Sequence, residues 1–296
     1  MPSPQLAALV ASLRSAPPIG GEDLLATREA LAASMAGFAP PADVRFEPVD
    51  AGGVPAEWTE APGARADRAV VYLHGGGYCL GDIAVYRGLV ARLSRIARLR
   101  VLSVGYRLAP EHPHPAAVDD AVAAVRFAYA AGLAPARVAV AGDSAGGGLV
   151  VATLLALREA GLPLPAAGVC LSPWTDLSGS GESIRTRAAE DPLVDARQLA
   201  RMAAAYLGER DPRTPLASPL FADLRGLPPL LLHVGSAEIL LDDATRLAER
   251  ARDAGVEVRL EVWDDMIHVW HAFADALPEG VQAIEGIADF LAKRLG

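Results

Sequence analysis

The sequence predicts an α/β protein: a mostly parallel central sheet flanked by helices. Two observations carry that expectation. Apolar runs of four to seven residues alternate with longer helical patterns along most of the chain. Most of these runs are near-continuously hydrophobic, as strands covered on both faces must be. Alternation of strand and helix then implies parallel strands joined by crossover helices.

Residues 1–40 are Ala/Leu-rich and helical in pattern, broken at Pro17-Pro18 and ended by Pro40-Pro41. Residues 44–49 and 55–59 read as a hairpin turned at Ala51-Gly52-Gly53. Strands are expected at 69–73, 101–104, 138–141, 168–171, 230–234 and 256–262. Helices are expected at 86–97, 115–131, 145–160, 241–254 and 281–295. Residues 177–216 break the rhythm: they are polar and rich in Gly, Ser and Arg, then helical at 196–207, and read as an insertion.

Length and composition fit that picture. At 296 residues the chain is within the range of one α/β domain and buries much of its surface. With 52% hydrophobic and 21% charged residues it has the make-up of a globular protein. A net charge of -9 argues against a nucleic-acid surface. The N-terminal stretch lacks the basic start of a signal peptide, and no run approaches the roughly 18 apolar residues of a membrane span. Cys79 and Cys170 have neither metal nor redox spacing and are expected as reduced thiols. The chain reads as cytoplasmic.

Chemistry concentrates in Gly142-Asp143-Ser144-Ala145-Gly146, a G-x-S-x-G motif. By itself the motif is a weak signal. Here an apolar strand precedes it and an apolar helix comes after it. That is the setting in which a serine stands on a sharp turn at the top of an α/β-hydrolase sheet, with small neighbours relieving the crowding. The start of the next helix also offers free N–H groups to developing negative charge. A dinucleotide or phosphate loop would need G-x-G-x-x-G or a Gly-Lys-Ser/Thr ending, and both are absent here.

A second glycine motif, His74-Gly75-Gly76-Gly77-Tyr78, ends the strand at 69–73. Acyl transfer passes through an oxyanion, and one preorganised N–H donor there is worth roughly 3–4 kcal/mol. Glycines let the backbone approach with no Cβ in the way. Gly75, Gly76 and Gly77, with the N–H of Ala145, are therefore the expected oxyanion donors.

A serine hydroxyl also needs a base, and histidine suits neutral pH. Of six histidines, His74 belongs to the glycine loop. His112 and His114 lie among prolines, and His233 inside an apolar strand, so these three read as structural. His268 and His271 come after the last strand, where the base is expected. His268 is favoured as the first after the strand. The pair has helical spacing for a metal, but no third ligand is evident.

The acid must lie between serine and histidine. Glu238 stands just past the strand at 230–234 and is the first choice, with Asp242 next. Asp242 and Asp243 read as helix-start caps. The acid would orient the imidazole and stabilise its protonated form.

Together these residues resemble the bacterial hormone-sensitive-lipase-like esterases, also called family IV. The resemblance runs from about residue 68 onward. It includes Tyr106-Arg-Leu-Ala-Pro-Glu-His-Pro-His-Pro, Leu171-Ser-Pro-Trp-Thr-Asp-Leu177 and Met266-Ile-His268. In that family the acid heads an Asp-Pro-Leu-x-Asp-Glu stretch; here the match is Glu238-Ile-Leu-Leu-Asp242-Asp243, as in members that resemble acetyl and lactone hydrolases. The resemblance implies an α/β-hydrolase core over 41–176 and 217–296, and a helical cap from 1–40 and 177–216. The stretch 106–120 would brace the glycine loop.

The residues and the resemblance together lead to the expectation of a serine carboxylesterase for short-chain acyl esters, with a small ester as substrate and neither metal nor organic cofactor. A lactone hydrolase uses the same chemistry and stays open. Trp174 and Tyr78 are expected substrate neighbours, although a core role serves Trp174 equally well. A non-catalytic receptor, like the plant gibberellin receptor of this fold, would lack the histidine that is present here. A peptidase of this fold usually carries a propeller, for which the chain has no room. The resemblance also allows a homodimer.

Overall fold

The computed structural model describes residues 3–15, 23–35 and 41–296. The expected breaks at Pro17-Pro18 and Pro40 fall outside them. Helices α1 (Pro4–Ser15) and α2 (Leu24–Met35) come first. The hairpin β1 (Arg45–Asp50) and β2 (Pro55–Glu60) is next, with Gly52 and Gly53 at positive φ in its turn.

The alternating part is β3 (Arg65–Leu73), α3 (Ile83–Ala97), β4 (Leu99–Val104), α4 (Ala116–Ala130), β5 (Val138–Asp143), α5 (Ala145–Glu159) and β6 (Ala167–Leu171). Between β6 and the next strand lie α6 (Ser183–Thr186) and α7 (Ala196–Leu207). The chain ends with β7 (Leu230–Gly235), α8 (Leu241–Asp253), β8 (Val258–Trp263) and α9 (Pro278–Leu295). The eight strands form one sheet in the order β1-β2-β4-β3-β5-β6-β7-β8. Only the β1–β2 and β2–β4 pairings are antiparallel; the other five are parallel.

The two-faced burial read from the sequence is visible strand by strand. Successive side chains of a strand point to opposite faces. Val70 and Tyr72 of β3 belong to the core cluster that includes α3 and α9, while Ala69, Val71 and Leu73 belong to the cluster on the other side, which includes α4, α5 and α8. Val138–Asp143 is buried at every position. β8 differs because it is an edge strand with no fully buried position; Arg259 and Val262 are exposed, Val262 by 44%. Among the described residues no helix is long and apolar enough to cross a membrane.

Several expected boundaries shift for local reasons. α3 begins at Ile83 rather than 86, because the Asp82 side chain accepts the Val85 N–H and caps it. α9 begins at Pro278 rather than 281, with proline in the first turn, where its missing N–H costs nothing. β8 begins at Val258 rather than 256, since the Val256 N–H is spent closing the end of α8 on the Ala251 carbonyl. β3 begins early, at Arg65, with an irregular register between Arg65 and Ala69.

Asp242 and Asp243 stand in the first turn of α8 as expected, but their expected role as caps is corrected. No side chain caps α8. Asp243 is fully buried and accepts the N–H groups of Thr175 and Asp176 at 2.7 and 2.8 Å. Asp242 accepts the Ser183 N–H at 2.9 Å. Both carboxylates hold the segment after β6, a tertiary demand that overrides capping. Burial pushes the Asp243 carboxyl up to about 7.

Candidate active site

β5 delivers Ser144 at its C-terminal end, and α5 starts one residue later. Ser144 sits at φ 52°, a left-handed conformation that costs a non-glycine residue on the order of 1–3 kcal/mol. Its backbone is held on three sides: its N–H donates to the Leu171 carbonyl, and its carbonyl accepts from Gly148 and Trp174. Glycine is required beside it by contact. A Cβ on Gly146 would lie 2.0 Å from the Leu73 carbonyl oxygen, and one on Gly142 2.5 Å from the same oxygen. The elbow therefore packs backbone to backbone on the end of β3. Ser144 is the N-cap residue of α5 but its side chain makes no cap bond.

The glycine loop lies against this elbow. Gly76 and Gly77 take positive φ. The Tyr106 hydroxyl donates to the His74 carbonyl at 2.7 Å and its ring stacks on His74, so the 106–120 stretch does brace the loop. Burial drives the His74 pKa down to about 4, leaving it neutral. Gly75 departs from the expected donor set. Its N–H donates to Asp143 at 3.0 Å, and a Cβ there would meet the same carboxylate at 2.3 Å. An N–H already spent on a buried carboxylate is not free for an oxyanion. Asp143 also accepts the hydroxyls of Tyr72 and Tyr86. Burial raises its pKa to about 6, and those three donors pull it back toward the ionised form.

Access to the loop and elbow is narrow. Within 71–80 every residue is buried except Gly76, and within 141–150 every residue except Ser144. From α7, Met202 bears on the loop; a Cβ on Gly77 would fall 2.1 Å from its sulfur. From α2, Arg28 reaches the carbonyls of Cys79 and Ala109 and pairs with Glu111.

His268 and Glu238 meet beyond the ends of β8 and β7. The His268 Nδ1 lies 2.6 Å from Glu238 Oε2. A carboxylate only accepts, so Nδ1 carries the proton and Nε2 keeps its lone pair. Glu238 is fully buried, and its Oε1 accepts from the Gly235 N–H at 2.6 Å and the Ser172 hydroxyl at 2.8 Å. Burial pushes the His268 pKa down, but the hydrogen bond and charge of Glu238 outweigh it, and the net shift is upward. Asp191 and Asp143 add to that rise.

The other candidates fall elsewhere. His271 is fully buried, with its Nε2 3.1 Å from His233 Nδ1, and burial holds its pKa well below the ordinary value. His233 in turn lies 3.2 Å from Glu261. Asp242, the second choice for the acid, bonds Ser183 and not the histidine. Trp174 and Tyr78 are adjacent, with ring centroids 6.1 Å apart, and each is 1% exposed. Tyr78 stacks on Tyr206 of α7 at 3.9 Å. Both pack against the first turn of α5, where a Cβ on Gly148 would sit 2.0 Å from the Trp174 carbonyl oxygen.

Sequence reasoning passed over Asp143 and Ser172. Each stands at the C-terminal end of a parallel strand, the edge where open α/β sheets place their ligands. That position was the signal that could have found them.

Known proteins resemble this chain in sequence and fold. A family pattern described as alpha/beta hydrolase fold matches residues 70–272. An acetyl-hydrolase of Streptomyces hygroscopicus is 51% identical, over 87% of this chain and 84% of its own. The solved structure of an esterase from the bacterial hormone-sensitive lipase family is 50% identical, with a TM-score of 0.96 over 100% of both chains. A structure of EstE5 soaked with p-nitrophenyl butyrate is 45% identical, with a TM-score of 0.95 over 99% of both chains.

Proposed function

Because the chain belongs to the bacterial hormone-sensitive-lipase-like family of α/β hydrolases and is a carboxylic-ester hydrolase, we propose that it cleaves short-chain acyl esters through an acyl-enzyme on Ser144. The observation that carries this reading is the pairing of exposure with hydrogen bonding. Ser144 and Gly76 are the accessible points of an otherwise buried elbow and loop, and a Glu238-held histidine lies at the end of the same sheet.

Ser144 Oγ attacks the ester carbonyl carbon while Nε2 of His268 takes its proton. The oxyanion is stabilised by N–H groups of Gly76, Gly77 and Ala145; Gly75 serves the loop through Asp143. The imidazolium, paired with Glu238, returns the proton to the departing alkoxide, and an acyl-Ser144 ester remains. Water, deprotonated by His268, then attacks that ester, releases the acid and restores the hydroxyl. Residues 1–40 and 177–216 act as a cap, supported by the contacts of Arg28 and Met202 with the loop region. Trp174 and Tyr78 shape the inner wall beside α5.

The short-chain preference rests on the closed surroundings of Ser144 and on the acetyl-hydrolase likeness. A rate series with p-nitrophenyl acetate, butyrate, hexanoate and decanoate tests it. kcat/KM is expected to peak at acetate or butyrate and to fall at least about 10-fold by decanoate, the scale on which a pocket discriminates against methylenes it has no room for. A maximum at decanoate would refute the preference while leaving the chemistry in place.

A further inference from the structure

Ser172 stands just past β6 and is fully buried, at φ 46°. Its hydroxyl makes two bonds of opposite sense. It donates to Glu238 Oε1 at 2.8 Å and accepts the Val269 N–H at 3.0 Å. Its own N–H donates to the His233 carbonyl of β7 at 2.7 Å. The residue before it, Leu171, accepts the Ser144 N–H. One short segment thus touches the loops carrying Ser144, Glu238 and His268.

The geometry is demanding. Glu238 has one more methylene than aspartate, and hence one more torsion to fix. Its Oε2 must face His268 while its Oε1 is held from behind. Val269, next to His268, is itself in the left-handed region at φ 49°, so the base stands on a backbone that needs an anchor. A hydroxyl is the small side-chain group that donates to a carboxylate and accepts an N–H at once. Without it, a buried carboxylate oxygen loses one of its two donors and a buried N–H is orphaned.

We propose that Ser172 is a positioning residue for ester hydrolysis: its hydroxyl holds the Glu238 carboxylate and the His268 loop in their reactive relation. This rests on Glu238 being the acid of the site. Ser172 touches neither substrate nor the reacting atoms and acts through Glu238.

The test is a double-mutant cycle of Ser172→Ala and Glu238→Ala, read as kcat and KM for p-nitrophenyl acetate, with thermal midpoints recorded for each protein. Ser172→Ala is expected to lower kcat about 10²-fold, the scale of a misplaced catalytic group, with KM changed less than roughly twofold. Glu238→Ala is expected to lose about 10⁴-fold. The double variant is expected within roughly threefold of Glu238→Ala, because residues acting as a unit are not additive. Ser172→Gly, which accepts positive φ without strain, is expected to reproduce the Ser172→Ala kinetics and decides the matter if the alanine variant does not fold. Wild-type kcat in both Ser172 variants, beside a disabled Glu238→Ala, would overturn the positioning role alone. So would losses that multiply in the double variant. Wild-type kcat in Glu238→Ala would overturn the acid assignment and, with it, this proposal.

Discussion

Ser144→Ala is expected to lower kcat for p-nitrophenyl acetate by about 10⁶-fold, with little change in KM. The size of the effect comes from what one oxygen does. It forms the bond to the acyl carbon and carries that acyl group to water. The catalysis left without it is that which oxyanion donors and binding give unaided, roughly 10³–10⁴-fold over water. The fold is expected to tolerate the change. The three backbone bonds that hold residue 144 involve its N–H and carbonyl only, and the side chain makes no cap bond. The thermal midpoint therefore stays near the wild-type value while turnover collapses. A variant that kept more than a few per cent of wild-type kcat would move the nucleophile elsewhere.

His268→Gln is expected to cost a similar factor, about 10⁶-fold in kcat. A glutamine amide can still donate to Glu238, so the local hydrogen bonding survives, but an amide cannot take a proton from Ser144 at neutral pH. The same residue fixes the pH dependence of the wild type. Its folded pKa is raised above 6.5 because the hydrogen bond and charge of Glu238 outweigh burial. The reaction needs the neutral imidazole, so kcat/KM falls as pH drops through that raised pKa, and the acidic limb lies above 6.5. Glu238→Gln replaces the charge by a neutral acceptor and is expected to move the limb down. The check is kcat/KM from pH 5 to 9 in both proteins; an unmoved limb would mean that Glu238 does not set the basicity of His268.

How far the site could be read from sequence depended on how local each signal was. Ser144 and the glycine loop were legible because each sits at the end of an apolar run, and His268 because it follows the last strand. The parallel sheet was legible for the same reason, through runs such as Val138–Asp143 that are buried on both faces. Gly75 was misread as an oxyanion donor because the direction of its N–H depends on Asp143, a residue of the neighbouring strand. Asp242 and Asp243 were misread as caps because their partners, Ser183, Thr175 and Asp176, arrive from a distant part of the chain. Ser172 was marked only by its place just past the end of β6, which does not tell what it does. Its role exists only where the ends of β6, β7 and β8 converge, and no spacing within one segment encodes such a meeting. The preference for His268 over His271 gains its physical reason from the partners each one meets: His271 lies in the core against His233, while His268 meets Glu238.

The most direct measurement is the site and stoichiometry of covalent inactivation by diethyl p-nitrophenyl phosphate, read by intact-mass and peptide-mass analysis. One adduct per chain on Ser144 is expected, with activity falling in proportion to occupancy and no adduct forming on Ser144→Ala. Complete inactivation with Ser144 unmodified, or a stoichiometric adduct on another side chain, would contradict Ser144 as the nucleophile.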